Sequence, residues 1–512
     1  MSIQSLTHMQ AGDLVYLAPE LTLVVSAVIL SLMDLLMPSK INRNLLGWLA
    51  IVALGISAAF VINDFNLMEK LNLAEPKQLL NLSYRVDDFG NLFKLVFLVG
   101  TGLTIFMSLG SVKEKDIPHV GEFYYLFLPA VVGAMVMASS GDLITLYVGL
   151  ELLSITSYIL VAMRKQDQLS TEAAYKYVVL GGISSAIILY GMSFLYGMTG
   201  STNFKEINAQ LSANYSSFEA LIYVAAFLLL AGFGFKIAAA PFHTWTPDVY
   251  QGAPTPVTAF LAIISKAAGF AILFRTIYGV FGIRELISTK IYDDIFLGLA
   301  VLAAASMIVG NLMALRQTNL KRLLAYSGVA NAGYLLIPIA SQLMLAHFSN
   351  FSEFMYYLIA YLFMNIGVFA VVMIIIRTHG NEDLSSLAGL YYRAPYTAVA
   401  MVFLLLSLAG IPVTGGFFGK LFIMLGTIQT QKYWLAATMI ITSVISFYYY
   451  FRIIRQMFMR SGNVDSGLDS TIPLNITVWL AVVVSLLLGF FPQWILTQID
   501  QIFSLTKDLL FL

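Results

Sequence analysis

The sequence predicts an all-α polytopic membrane protein of about 14 transmembrane helices, with two inverted five-helix repeats that each carry a broken helix. Three observations predict it. The 512 residues are 59% hydrophobic and 11% charged, against about 25% charged in a soluble domain. The apolar residues fall in runs of roughly 20 or more, the length a helix needs to cross about 30 Å of hydrocarbon; a β-barrel would show short alternating segments. Two of the runs hold a lysine beside a helix break, five spans apart.

In chain order the predicted spans cover approximately 14–37, 44–63, 89–110, 122–140, 142–163, 171–197, 218–245, 256–280, 293–315, 320–340, 354–377, 397–428, 432–458 and 473–498. The first run is too long for the core of a cleaved signal peptide and no basic segment precedes it. The two longest connections, 64–88 and 198–217, are polar and read as small caps. Spans 4–8 and 9–13 form the two repeats, and an odd number of spans per repeat inverts the second copy. The chain then divides into an N-terminal three-helix segment (1–121), a first repeat (122–280), a second, inverted repeat (293–458) and a C-terminal helix (459–512).

Lys and Arg in the loops set orientation. Fourteen fall on one side, Lys321 and Arg322 among them, and nine on the other, including Arg85, Arg275, Arg284 and Lys290. The bias places both termini outside, against the local signal of Arg284 and Lys290.

The breaks are specific. One run contains Lys236-Ile-Ala-Ala-Ala-Pro241-Phe-His243 and continues through Pro254 and Pro256 to Lys266. The other contains Gly410-Ile-Pro412-Val-Thr414-Gly415-Gly416-Phe-Phe-Gly419-Lys420. A proline inside a helix removes a hydrogen bond and clashes with the preceding turn. A charge at membrane depth costs at least about 2.5–3.5 kcal/mol. Both are tolerated only where protein or water surrounds them, and discontinuous helices in inverted repeats mark ion sites. Thr244, Thr246, Ser265, Thr414 and His243 are expected to hydrogen-bond water at the breaks or to cap them. Lys94, near a helix start, is expected to snorkel to the headgroups. Lys176, with Glu172 four residues before it, is open between snorkelling and function. Glu151, Lys236, Lys266 and Lys420 lie too deep to snorkel; each is either a structural ion partner or part of an ion path, and the path is the default reading.

Composition excludes other chemistries. Cysteine is absent, so no thiolate holds an iron–sulfur cluster. Of the five histidines, His8, His119, His243, His347 and His379, only His243 lies near a membrane segment, and no metal site is expected. No dinucleotide fingerprint or phosphate loop is present. Zero net charge suggests no nucleic-acid partner. No redox catalytic residue is expected.

The motifs then take on a family likeness. Pro241-Phe-His243-Thr-Trp245-Thr-Pro247-Asp248-Val-Tyr250 and Gly252-Ala-Pro254-Thr-Pro256-Val-Thr-Ala-Phe260 resemble the antiporter-like subunits of proton-pumping NADH:quinone oxidoreductase, complex I. Gly149-Leu-Glu151-Leu-Leu-Ser154, the stretch from Arg316 to Ser327, and Pro412 to Lys420 agree. Three details set the chain apart from subunits L and M of that family: Trp245-Thr-Pro-Asp-Val-Tyr250 in the loop, lysine at 420 and no long lateral helix after the fourteenth span. Gln251 departs from a common glutamate but touches no path residue.

The resemblance implies a proton path through Glu151, Lys236, Lys266 and Lys420, with His243 near it and Lys176 as a further member. It implies that NADH, FMN, iron–sulfur clusters and quinone belong to partner subunits, that K-, M- and J-type subunits are neighbours, and that the chain sits in a bacterial inner membrane or an equivalent energy-transducing membrane. Glu151 and Lys236 are expected to form a switchable pair, Lys266 the relay and Lys420 the exit-side group. Two other readings remain: a subunit of a multisubunit cation/proton antiporter, and an inert scaffold. Buried lysines repel Na⁺, and a scaffold has no use for four deep charges.

Overall fold

The computed structural model describes residues 11–38, 40–70, 76–282, 289–341, 350–460 and 467–509. The expectations on Arg284, His8 and His347 fall outside them. Among the described residues, thirteen helices are long and apolar enough to cross a membrane. In order they include α1 (Ala18–Leu36), α2 (Asn44–Lys70), α3 (Asp88–Ser108), α4 (Val120–Ala138), α5 (Leu143–Val161), α6 (Gln168–Thr199) and α7 (Phe204–Lys236). Then come α8 (Thr255–Val280), α9 (Lys290–Ala314), α10 (Leu320–Ala340) and α11 (Asn350–His379). The expected twelfth span is two half-helices, α12a (Pro395–Ala409) and α12b (Gly415–Gln429), followed by α13 (Tyr433–Met459) and α14 (Ile472–Phe490).

Polar caps start the helices where the apolar runs begin. Asp87, Asp142, Asp167, Asn203 and Asn319 each accept from a backbone N–H in the first turn of the helix they precede, satisfying a donor the helix cannot use. Three of these caps take part in two matching links. Asp142 bridges Asn203, tying the starts of α5 and α7, and Asn319 bridges Asp383, tying the start of α10 to the segment before α12a. Reciprocal backbone bonds close each link: Leu143 to Thr202 and Phe204 to Gly141, then Leu320 to Glu382 and Leu384 to Thr318, at 2.8–3.1 Å.

Several expectations need correction. The segment 198–217 is largely the first turns of α7, because Phe204, Ile207 and Leu211 recur at helical spacing and are buried; Asn214, with φ −129°, marks a kink. The last span ends at Phe490, since Pro492 opens a separate helix, Pro492–Ile502. The segment 64–88 holds the end of α2 and a small antiparallel hairpin, β1 (Lys77–Leu79) with β2 (Tyr84–Val86). Lys94 does not snorkel. It is wholly buried, 2.9 Å from Glu20 of α1 and 3.0 Å from the Tyr84 hydroxyl, because Glu20 and Tyr84 supply it with oxygen acceptors within the bundle.

Arg275, Arg85 and Lys321, counted among loop charges, are also buried. Arg275 of α8 donates to the Ala138 carbonyl (2.9 Å), the Asp508 carbonyl (2.8 Å) and Asp87 (2.6 Å), and Arg85 holds the other oxygen of Asp87 at 2.8 Å. This clamp fastens the C-terminal tail to the start of α3. Lys321 pairs with Glu382 at 2.6 Å.

The central helices α8 and α10 are buried on all sides, whereas α1, α2, α6, α7 and α13 keep broad apolar faces exposed. The core therefore runs along α8, α10 and α11, which is where the deep lysines converge.

Replacing Arg275 with Met removes three hydrogen bonds and leaves Asp87 with one guanidinium. Breaking a buried pair costs about 3–5 kcal/mol, so heated native gels should show the assembly failing earlier than wild type, with R275K recovering only part. An unchanged melting profile would sink the clamp. The tail should also respond to pH. Burial, together with Asp87 nearby, pushes Asp508 up to about 8 from the ordinary 3.8. A raised folded value means the contribution is complete below the ordinary value and fades as pH rises through about 8. Proteolytic nicking of the tail should increase across that range in wild type and lose the dependence in D508N.

Candidate proton path

The first break comes just after Lys236. Ala238 takes φ +59° and Pro241 stops the helix. The freed backbone groups find partners inside the protein: Trp245 Nε1 donates to the Phe235 carbonyl (3.0 Å), and the Ala240 N–H donates to Ser306 Oγ of α9 (2.8 Å). These are not the residues expected for that task. Thr244 is exposed, and Thr246 Oγ1, Ser265 Oγ and His243 Nδ1 are buried with no hydrogen-bond partner among the described residues. A buried polar atom left unpaired calls for ordered water.

Lys236 is buried and its Nζ donates to Ser154 Oγ of α5 at 2.9 Å. Glu151, one turn earlier on α5, is half-buried and accepts a hydrogen bond from Ser185 of α6. The two members of the expected switchable pair are therefore not in direct contact. Each group is held by a hydroxyl of its own, and the two remain within electrostatic reach.

In α8, a π-helical turn at Leu261–Ser265 immediately precedes Lys266; the wider turn changes the direction in which the next side chains point, and such turns are frequent at functional sites. The ammonium of Lys266 donates to the Gly328 carbonyl of α10 at 2.7 Å and lies 6.0 Å from the centre of the Tyr250 ring. Glycine at 328 lets the ammonium come this close: a Cβ there would stand 2.9 Å from Lys266 Nζ and 3.3 Å from the Tyr361 hydroxyl, so the lysine would have to shift away. The hydroxyls of Tyr250 and Tyr361 are buried without a partner among the described residues. With His243 and Ser265 they make a cluster of unfilled polar atoms around Lys266.

The second break lies between α12a and α12b. Gly410 ends α12a at φ +87° and Val413 comes next at φ +76°. Thr414 Oγ1 donates to the Ile411 carbonyl at 2.7 Å, a local cap. Lys420, on α12b, reaches back to the end of α12a, where its Nζ donates to the carbonyls of Leu408 (2.9 Å) and Ala409 (3.1 Å). A cation there also meets the negative end of the helix dipole.

Between Lys266 and Lys420 runs a row of buried polar side chains that sequence reasoning missed. Tyr357 donates to Asn331 (2.6 Å), Asn331 donates to the Ser327 carbonyl (2.8 Å), and Ser327 Oγ meets the Tyr450 hydroxyl at 2.5 Å. The neighbouring Tyr449 donates to Asn311 (3.0 Å), Asn311 donates to the Tyr334 hydroxyl (3.3 Å), and Lys420 lies 4.8 Å from the Tyr334 ring centre. The signal available was weak: Asn311 and Asn331 are amides inside apolar runs, but tyrosines in such runs read as packing.

Lys176 sits apart from this row, with 38% of its side chain exposed. It pairs with Glu172 and with Asp248, both at 2.7 Å, and Asp248 pairs with Arg322 at 2.6 Å. Partial burial raises the Asp248 carboxyl, but hydrogen bonds from Lys176 and Arg322 outweigh it and hold the group below the ordinary range.

Two broken helices flanking a buried row of lysines define an antiporter-like membrane subunit. Residues 140–446 match the family described as NADH:quinone oxidoreductase/Mrp antiporter, transmembrane. NADH-quinone oxidoreductase subunit N of Paenibacillus sp. (strain JDR-2) is 51% identical over 97% of this chain and 98% of its own length, and that of Brevibacillus brevis is 47% identical over 97% and 96%. A chain of respiratory complex I from Thermus thermophilus superposes with a TM-score of 0.76 at 31% identity, covering 94% of this chain and 98% of that one. A chain of the Mrp complex from Dietzia sp. shares the fold, with a TM-score of 0.80 at 19% identity over 98% of both chains. The chain belongs to this NADH:quinone oxidoreductase/Mrp antiporter family, in its NADH-quinone oxidoreductase subunit N branch.

The second break depends on Gly416. A Cβ there would fall on the Ser407 carbonyl, while the Gly416 N–H donates to Ser407 Oγ at 3.2 Å. Gly416→Ala should force α12a and α12b apart, at the roughly 1–3 kcal/mol of an overpacked site, and lower the amount of assembled complex on native gels. Gly182→Ala, in open space on α6, is the control and should assemble normally.

Proposed function

We propose that this chain is the proton-translocating membrane-arm subunit its family membership indicates, with the path passing through Lys236, Lys266 and Lys420. One observation carries the assignment of residues. Each of these buried ammonium groups is hydrogen-bonded only to neutral oxygens among the described residues: a serine hydroxyl, a glycine carbonyl and two carbonyls at a helix end. Losing the proton strands no carboxylate. By contrast Lys94, Lys176 and Lys321 are held by carboxylates, which keep an ammonium charged. Lysine suits a relay because its protonation responds to burial, whereas arginine stays charged.

Glu151 modulates Lys236. Close approach stabilises both charges, and separation in a low dielectric favours both neutral forms. Lys266 is the relay, with His243, Tyr250 and Tyr361 around the water it exchanges with. The row from Tyr357 to Tyr334 connects it to Lys420, the exit-side group. Lys176 and Asp248 stand at the surface end of the first repeat. The matching cap links at Asp142 and Asn319 support the division into a first repeat (122–280) and a second (293–458), flanked by an N-terminal three-helix segment and a C-terminal helix. Gly328 lies nine residues after its cap on α10, as Glu151 does on α5, so the Lys266 acceptor and the Lys236 modulator occupy corresponding places.

The chain acts as the non-redox, translocating part of the enzyme complex. NADH, FMN, iron–sulfur clusters and quinone belong to other subunits, and K-, M- and J-type subunits flank it in a bacterial cell membrane, with both termini outside. The experiment is a pair of substitutions. Lys420→Arg keeps a cation to bond the Leu408 and Ala409 carbonyls but cannot release its proton; Lys420→Met removes the charge, costing about 0.3–1 kcal/mol of helix-end stabilisation. Both should assemble on blue-native gels and both should lose pumping, read with a pH-sensitive dye in vesicles. Pumping by the arginine variant alone would make Lys420 a structural cation, and pumping by both would remove it from the path.

A further inference from the structure

Outside the lysine row, the N-terminal helices bury a second set of charges. Lys94 of α3 lies 2.9 Å from Glu20 Oε1 of α1 and donates to the Tyr84 hydroxyl at 3.0 Å, and Tyr84 donates in turn to the same Glu20 oxygen at 2.5 Å. Lys94 and Glu20 thus neutralise each other within a closed triangle. A second carboxylate faces this triangle from α2. Asp64 is fully buried, and neither of its oxygens has a hydrogen-bond partner among the described residues; Glu20 Oε2 is likewise unpartnered there. Among the described residues, the charged groups within electrostatic reach of Asp64 are Lys94 and Glu20. One ammonium therefore serves two carboxylates.

An ionised carboxylate with no countercharge and no donor is too costly to bury; it neutralises instead. Lys94 at the centre repels metal cations, so the neutralising ligand is a proton. We propose that Asp64, Glu20 and Lys94 form a second proton-binding site, in which Asp64 holds the proton while Glu20 pairs with Lys94. The four contributing groups come from four elements: Glu20 from α1, Asp64 from α2, Tyr84 from β2 and Lys94 from α3; Tyr16 before α1 and Leu79 of β1 pack against Tyr84, and Lys77 of β1 turns to Asp13 instead. Glu20, with 9% of its side chain exposed, is the least buried of the three charged groups. If Lys94 turns from Glu20 toward Asp64, the stranded acid becomes Glu20, and the proton passes from the Asp64 carboxyl to the Glu20 carboxylate with no change in total charge.

Three variants of the intact, purified complex test this by pH-difference infrared spectroscopy. Wild type should show a carboxylic-acid C=O stretch that bleaches on alkalinisation. D64N replaces a neutral acid with a neutral amide of the same shape, so it should assemble and lack that band. E20Q leaves Asp64 as the carboxylate beside Lys94; Asp64 then ionises to pair with it, and the band should vanish although Asp64 is untouched. K94M removes the shared cation, both acids protonate, and the band should grow to about twice its size. A band retained at full amplitude in D64N or in E20Q overturns the proposal. Failure of D64N to assemble overturns it as well, because a neutral Asp64 has no charge for asparagine to remove.

Discussion

An ammonium group buried among helices must find oxygen acceptors, and the architecture is arranged around that need. A regular helix offers few, since its carbonyls are already bonded four residues on. The chain meets the need in two ways. At the second break, α12a stops at Gly410 and exposes the carbonyls of Leu408 and Ala409, which Lys420 takes. Elsewhere a small residue lets an ammonium approach an intact helix: Gly328 lets Lys266 share a carbonyl of α10, and Ser154 gives Lys236 a hydroxyl. The second break is thus the source of its own acceptors, and the lysine in turn helps to satisfy it.

The nature of the acceptor divides the buried lysines into two groups. Neutral oxygens hold an ammonium weakly enough that its proton is exchangeable, whereas a carboxylate at 2.6–2.9 Å, as for Lys321 and Lys94, fixes the charge. The first group comes from α7, α8 and α12b. The second ties the N-terminal helices and the link before α12a into place. The hydroxyls of Tyr250 and Tyr361 beside Lys266 have no partner among the described residues, which accords with the proposed path, where a titrating lysine needs water to exchange its proton with.

Much of this was legible in the sequence. Apolar run lengths gave the fourteen spans, Pro241 and Pro412 gave the breaks, and charge within apolar runs singled out Glu151, Lys236, Lys266 and Lys420. Partners were not legible, because they come from far along the chain. Lys94 read as a headgroup lysine, since its own helix start is near; its true partner, Glu20, is on another helix. Arg275 and Lys321 read as loop charges, since they lie near span ends; Asp87, the tail at Asp508 and Glu382 bury them. Glu151 and Lys236 were expected as a switchable pair, but the serine that holds each of them, Ser185 and Ser154, could not be read from charge.

The tyrosine and asparagine row escaped for a different reason. Hydrophobic periodicity reports which face of a helix meets lipid, and Tyr357 of α11 and Tyr449 and Tyr450 of α13 all lie on the inner, buried side. On a buried face, a tyrosine that only packs and one whose hydroxyl bonds a partner look identical in sequence. What separates them is the partner of the hydroxyl: Asn331 for Tyr357, Asn311 for Tyr449, Ser327 for Tyr450. The repeats offered the missing constraint. The cap links at Asp142 and Asn319 fix corresponding registers on α5 and α10, so the place of Ser154, the Lys236 acceptor, is taken on α10 by Asn331. In the first repeat that place ends at a lysine; in the second it opens into the row that leads to Lys420.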